Sequence, residues 1–237
     1  MRIWNLKLRP PASPCLPARA SQSQAGSYGG RGLLIEANSM VKGGVSMKIV
    51  CLLGSPRPKG NSAAMAARFC EAAEGLGAEV TTFAFNKLKY RGCQACMTCK
   101  TKLEKCVLKD DLAEVLDAIR DAEVLVMATP IYIAEISSQL KAFIDRTYSY
   151  LVPDYATNPT NPCRLPPGKK LVFIEAQGHP DESLFADIFP RYDLIFKWYG
   201  FSDRYQIRAC GVFNKGDVEA REDIMRLAEE TARKIMG

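Results

Sequence analysis

From residue 47 onward, short β-branched apolar runs alternate with longer amphipathic periods, and this alternation restricts the fold more than any other feature of the chain. KIVCLL (48–53), AEVTTFAF (78–85), EVLVMAT (123–129), KKLVFIEA (169–176) and RYQIRACGVF (204–213) read as strands. Helical periodicity runs through 61–77, 110–122, 137–151, 182–200 and 217–236. Gly75 and Gly77 end the first helix, Asp110 is the expected cap of the second with Asp111 as dipole partner, and Pro190 interrupts the fourth. Strands joined through helices pair in parallel, because a crossover of that length is what brings the chain back to the same edge. The expected architecture is one doubly wound α/β domain over 47–237, a five-stranded parallel sheet of order 2-1-3-4-5 with helices on both faces.

Composition narrows the function classes. At 237 residues and 47% apolar content the chain can bury an ordinary core. No stretch approaches the roughly 18 consecutive apolar residues of a membrane span, and the basic beginning lacks the apolar core of a signal peptide, so a soluble, cytoplasmic protein is expected. Nine cysteines, an odd number with four in one short segment, argue against a secreted disulfide framework. The net charge is +6, but residues 1–46 hold six basic groups against Glu36 alone and so carry +5 of it. The remaining +1 gives no basis for a nucleic-acid partner. Residues 1–46 follow neither period and are rich in Pro, Gly, Ser and Ala, as expected of a disordered extension. Lys42-Gly43-Gly44-Val45-Ser46-Met47 is what a ribosome-binding sequence and start codon would encode if translated, so Met47 is the expected native start.

Directly after the first strand comes GSPRPKGNS (54–62), which leads into the first helix. Such a turn is an anion site, since unpaired backbone N–H groups and the positive end of the helix dipole point at one spot. Ser55, Arg57, Asn61 and Ser62 add donors. Neither G-x-G-x-x-G nor G-x-x-x-x-G-K-[ST] is present, so dinucleotide binding of the Rossmann type and P-loop hydrolysis lose support. In the expected strand order a ligand lies between strands one and three, where TPIYIAEIS (129–137) offers Tyr132 and its neighbours to a flat ring.

The segment 86–109 contains Cys93, Cys96, Cys99 and Cys106, spaced C-x2-C-x2-C-x6-C. Zinc sites favour two separated C-x2-C pairs, and a redox C-x-x-C would leave two thiols over. Three closely consecutive ligands and a fourth favour an iron–sulfur cluster, [4Fe–4S] before [2Fe–2S]; free or disulfide-bonded thiols are the other reading. Around them Lys87, Lys89, Arg91, Lys100, Lys102, Lys105 and Lys109 face one acid, Glu104, an excess suited either to a solvated surface or to steering an acidic electron donor. His179, without a partner set, is left unassigned, and Tyr148, Tyr150, Tyr155, Trp198 and Tyr199 are read as packing or subunit-contact residues.

GSPRPKGNS followed by TPIYIAEISSQLKAFIDR resembles the NAD(P)H-dependent FMN reductase branch of the flavodoxin-like superfamily, in particular its iron–sulfur flavoproteins, over about residues 47–237. The resemblance implies a flavodoxin-like fold with noncovalent FMN, its phosphate held by Ser55, Arg57, Asn61 and Ser62. Pro130, Ile131, Tyr132 and Ile133 match the loop beside the isoalloxazine, and Ala176, Gln177 and Gly178 the loop that closes on it, although the HPDE that follows departs from the family pattern. The cysteine spacing resembles the family's compact cluster motif. Electrons would pass between the cluster and FMN in a homodimer or homotetramer, with ferredoxin or another carrier, or NAD(P)H, as donor. Two alternatives are a cluster-free NAD(P)H-dependent FMN or quinone reductase and a thiol-based redox sensor.

Overall fold

The computed structural model describes residues 46–158, 160 and 162–237. The expectations for residues 1–45, including the disordered extension, lie outside the described residues. Strands β1 (Lys48–Leu53), β2 (Glu79–Ala84), β3 (Val124–Tyr132), β5 (Lys169–Gln177) and β6 (Phe201–Cys210) pair in parallel in the order β2-β1-β3-β5-β6. The sheet has six strands where five were expected, because a two-residue β4 (Glu135–Ile136) folds back antiparallel on the end of β3. The rest of the order is as read from the sequence once β5 and β6 take the fourth and fifth places.

The central strands are buried on both faces, which explains their unbroken apolar character. Val50, Leu52, Leu125, Met127, Leu171 and Phe173 point to one side, under α3 (Leu112–Asp121), α4 (Ser138–Arg146) and α5 (Ile188–Trp198). Ile49, Cys51, Val124, Val126, Val172 and Ile174 point to the other, under α1 (Asn61–Glu74) and α6 (Glu222–Met236). A short α2 (Thr98–Thr101) lies within the cysteine segment. Among the described residues no helix is long and apolar enough to cross a membrane.

Three local expectations are corrected. The cap position of α3 is held by Asp111, which accepts from the Lys89 backbone N–H at 2.6 Å; Asp110, one residue earlier, is engaged chiefly by Arg146 and also by the Leu112 N–H at the start of the helix. Pro190 does not interrupt its helix, because α5 starts at Ile188 and leaves Pro190 in the first turn, where the missing N–H has no helical acceptor to lose. Residues 182–187 are therefore loop. The last strand begins at Phe201, three residues before the expected start, and pairs from Lys169 onward with an irregularity at Lys169/Lys170.

Candidate functional site

The loops that follow β1, β3 and β5 leave the same end of the sheet, and small residues lock them together. Gly54 donates its N–H to the Ala128 carbonyl at 2.8 Å, and a Cβ at Gly54 would lie 2.9 Å from Ser137 Oγ. Ser137 Oγ in turn donates to the Gly54 carbonyl at 2.7 Å and caps α4 by accepting from the Leu140 N–H. The first and second loops thus form one piece. Beyond Gly54, Ser55 Oγ accepts from the Arg57 N–H at 3.1 Å, and Gly60 precedes α1 with no side-chain cap. The amides of the first turn of α1 are left open for an anion, as a helix start of this kind allows.

One cleft of about 460 Å³ is lined by Ser55, Arg57, Asn61, Ser62, Pro130, Ile131, Tyr132, Ala176, Gln177 and Gly178, ten of the eleven residues expected there. Ile133 is not among the lining residues: it stands 99% exposed at the tip of the β3–β4 hairpin. Ile133 (φ 47°) and Ala134 (φ 62°) are both left-handed, a turn that usually takes Asn-Gly and that strains a β-branched residue. The hairpin is held against α5 through Glu135, which accepts from Tyr192 Oη at 3.0 Å and pairs with Arg191 at 3.2 Å.

Two polar side chains of the expected lining, one an expected donor, are committed elsewhere. Asn61 Nδ2 donates to the Val212 and Asn214 carbonyls at 3.0 and 2.8 Å, and its Oδ1 accepts from the Val218 N–H. Its side chain therefore ties down the loop after β6, and what it can offer an anion is its backbone amide. Gln177 Nε2 donates to the His179 and Asp181 carbonyls while Oε1 accepts from Arg208 Nη2, so its side chain shapes the third loop.

The cleft also takes His179, whose role the sequence leaves unassigned, and Gly60, Pro180, Phe185, Val212, Phe213 and Lys215, which were not among the residues expected to line it. His179 Nδ1 accepts from the Asp181 N–H at 3.1 Å, which puts the proton of the neutral ring on Nε2. Hydrogen bonds from Ser183 hold the Asp181 carboxyl below its ordinary range. A Cβ on Gly178 would meet the Phe213 ring at 3.0 Å, so the glycine lets that ring, 73% exposed, lie across the third loop. The cleft therefore has an end with open amides, hydroxyls, Arg57 and Lys215, and a wall of Ile131, Tyr132, Phe185 and Phe213. Its volume is within the roughly 300–1,000 Å³ of cofactor sites, and this division suits a phosphorylated ligand with a flat apolar ring such as FMN.

The cysteine segment packs against the far end of α4. Cys93, Cys96, Cys99 and Cys106 are free thiols and all line one void with Arg146, Tyr148 and Ser149. Left-handed Ala95 (φ 51°) and Met97 (φ 57°) turn the chain tightly around Cys96, and hydrogen bonds from Thr98 pull the Cys96 thiol below its ordinary pKa. Among the described residues no group of three or more Cys, His, Asp or Glu side chains stands in metal-binding geometry. The void is about 20 Å³, close to the space of one water molecule, so the donor set suits a cluster while the sulfurs would have to spread to admit one.

Two cations bind the segment to the body of the protein. Lys100 Nζ donates to the Tyr148 and Leu151 carbonyls at 2.5 and 2.7 Å and lies 4.0 Å over the Tyr148 ring; burial lowers its pKa. Arg146, its side chain 0% exposed, reaches the Arg91 carbonyl before the first cysteine and the Leu108 carbonyl after the last, and forms a two-point pair with Asp110 at 2.8 and 3.1 Å. Burial works against the Asp110 charge, but hydrogen bonds from Arg146 and the Arg91 N–H outweigh it and hold the carboxyl below its ordinary range. Lys87, Lys89, Arg91, Lys102, Lys105 and Lys109 are exposed around this site.

Several known proteins resemble this chain in sequence or in fold. Residues 47–162 match the protein-family profile described as NADPH-dependent FMN reductase. An iron-sulfur flavoprotein of Archaeoglobus fulgidus is 36% identical over 104 residues, 44% of this chain and 47% of that protein. One of Methanosarcina thermophila is 33% identical over 101 residues, 43% of this chain and 52% of that protein. The chain thus spans about half the length of the curated relatives it matches. Among solved structures, the NAD(P)H:quinone oxidoreductase from Methanothermobacter marburgensis superposes with a TM-score of 0.64 at 19% identity, covering 81% of this chain and 98% of that one. The FMN-dependent NADH-azoreductase from Bacillus anthracis, in complex with FMN, gives 0.62 at 15% identity, covering 81% and 100%. At these identities the superpositions establish a shared fold.

Proposed function

From the resemblance of residues 47–162 to the NADPH-dependent FMN reductases, we propose that this chain is an FMN-dependent oxidoreductase of the iron–sulfur flavoprotein kind. The observation that carries the reading is the single cleft in which the uncapped start of α1, Ser55, Arg57 and Lys215 lie at one end and Tyr132, Phe185 and Phe213 form the wall. Bound there, FMN would supply reversible one- and two-electron chemistry. The chain's part is to hold the phosphate on the first-turn amides and hydroxyls, to exclude water from the ring with its aromatic wall, and to present the His179 Nε2–H as a fixed donor. Cys93, Cys96, Cys99 and Cys106 would hold a [4Fe–4S] cluster, which supplies one-electron transfer. The exposed lysines around them favour an acidic carrier such as ferredoxin, with NAD(P)H as the other candidate reductant. Assembly as a homodimer or homotetramer in the cytoplasm belongs to the same reading.

The test is anaerobic purification followed by measurement of FMN, iron and acid-labile sulfide per chain. Stoichiometric flavin with about four irons is the expected result. Protein that stays colourless after reconstitution with excess FMN overturns the flavin assignment. A second reading, a cluster-free NAD(P)H-dependent reductase, draws on the small size of the cysteine void and calls for yellow, iron-free protein that NAD(P)H bleaches.

A further inference from the structure

Four buried side-chain atoms among the described residues have no hydrogen-bond partner: Arg146 Nε, Ser149 Oγ, Glu175 Oε1 and Arg208 Nε. Glu175 and Arg208 belong to β5 and β6 beside the third loop, where Arg208 also holds the Glu182 and Leu184 carbonyls. The other pair converges on one place, since Arg146 and Ser149 both line the void shared by the four cysteines. A buried donor left unpaired forfeits its hydration with nothing in return, so two of them around one cavity call for an acceptor that occupies it.

The surroundings say which hydrogens are left over. The Nη atoms of Arg146 make four hydrogen bonds, to the Arg91 and Leu108 carbonyls and both oxygens of Asp110, which accounts for all four Nη hydrogens and fixes the plane of the guanidinium. Nε–H is the remaining donor, and the Cys106 thiol lies beside the group. At Ser149 the carbonyl is held by Arg164 Nη1 at 3.0 Å, so the backbone is fixed and the hydroxyl is free to turn.

We propose that Arg146 and Ser149 are positioning residues of the four-cysteine site, whose Nε–H and Oγ–H donate hydrogen bonds to the sulfur atoms of the centre those cysteines hold. The proposal rests on the cluster reading above and adds to it the groups that set the potential of the centre. Ligand and sulfide sulfurs carry the negative charge of a cluster, and donors aimed at them favour the reduced form, which holds one more electron. Arg146 contributes a second effect, because the same side chain joins the residues before Cys93 and after Cys106 and so limits how far the sulfurs can spread.

The experiment uses the full chain, reconstituted anaerobically with ferrous iron and sulfide, and a potentiometric titration followed by electron paramagnetic resonance. Wild type, Ser149→Ala, Ser149→Thr and Arg146→Lys are compared at measured iron and sulfide content. Ser149→Ala is expected to keep its cluster and shift to a more negative potential, with Ser149→Thr restoring the wild-type value. Arg146→Lys is expected to shift in the same direction with an altered spectrum, or to fold and lose iron. Ser149→Ala and Arg146→Lys both filled at unchanged potential would overturn the proposal while leaving the cluster reading intact. Wild-type chain that takes up no iron or sulfide would overturn the two together.

Discussion

Asp110 shows how a carboxylate can be found in the sequence while its main partner stays hidden. Its place before a helical period reads as a cap, whereas Arg146 is 36 residues away and invisible to local spacing. Removing the charge leaves a buried guanidinium unpaired, so Asp110→Asn is expected to lower stability by about 3 kcal/mol in urea unfolding, the low end for a broken buried pair because Asp110 keeps some exposure. Since the folded pKa is depressed, the stabilisation is complete above the ordinary carboxylate value near 3.9 and fades as pH falls through the folded value; wild type and variant should converge in acid. Ile133 makes the opposite case. It loses no core if replaced, and its left-handed backbone suits Asn, so Ile133→Asn is expected to raise stability by about 1 kcal/mol, seen as a higher urea midpoint at unchanged slope. Asn61 was legible as a polar residue at a helix start, but nothing local announced that carbonyls of residues 212 and 214 would take its amide.

At the scale of elements, the strand and helix periods are enough to bring the loops after β1, β3 and β5 to one cleft, because where parallel strands end decides where the loops between them meet. What local pattern could not supply was β4, whose two residues are too few to show a period, and the start of α5, where Pro190 reads equally well as a break or as a first-turn residue. The loop after β6 was missed because Phe213 and Lys215 carry no motif, and only the tie to Asn61 brings them to the cleft. The open first turn of α1 with Arg57 and Lys215 makes a specific expectation. Replacing either cation by Ala should weaken FMN binding about tenfold, the scale of one charge-assisted hydrogen bond, and leave riboflavin binding unchanged. Flavin fluorescence titration with both ligands checks it; equal losses for the two would move the phosphate away from this end.

Over the whole molecule, the five-strand parallel order was legible because crossovers of helical length leave few topologies, while the aromatic packing that fills it was not. Phe173 lies between Phe189 and Tyr192 with ring centroids 5.7 and 5.5 Å away, and is fully buried at the centre of one layer. Phe173→Ala is expected to cost about 3–5 kcal/mol of unfolding free energy, measured by urea denaturation. The spacing shows the cysteine segment, but not its attachment through Arg146 at the end of α4 and through Lys100 to residues 148 and 151, since both cations anchor to backbone carbonyls that any sequence would provide. The bonds from Asn61 to Val212, Asn214 and Val218 span 151 to 157 positions of the chain. During synthesis, then, the part of the cleft wall supplied by residues 212–215 can close on the start of α1 only after nearly all of the chain has emerged, so a ligand gripped between them would be a late arrival.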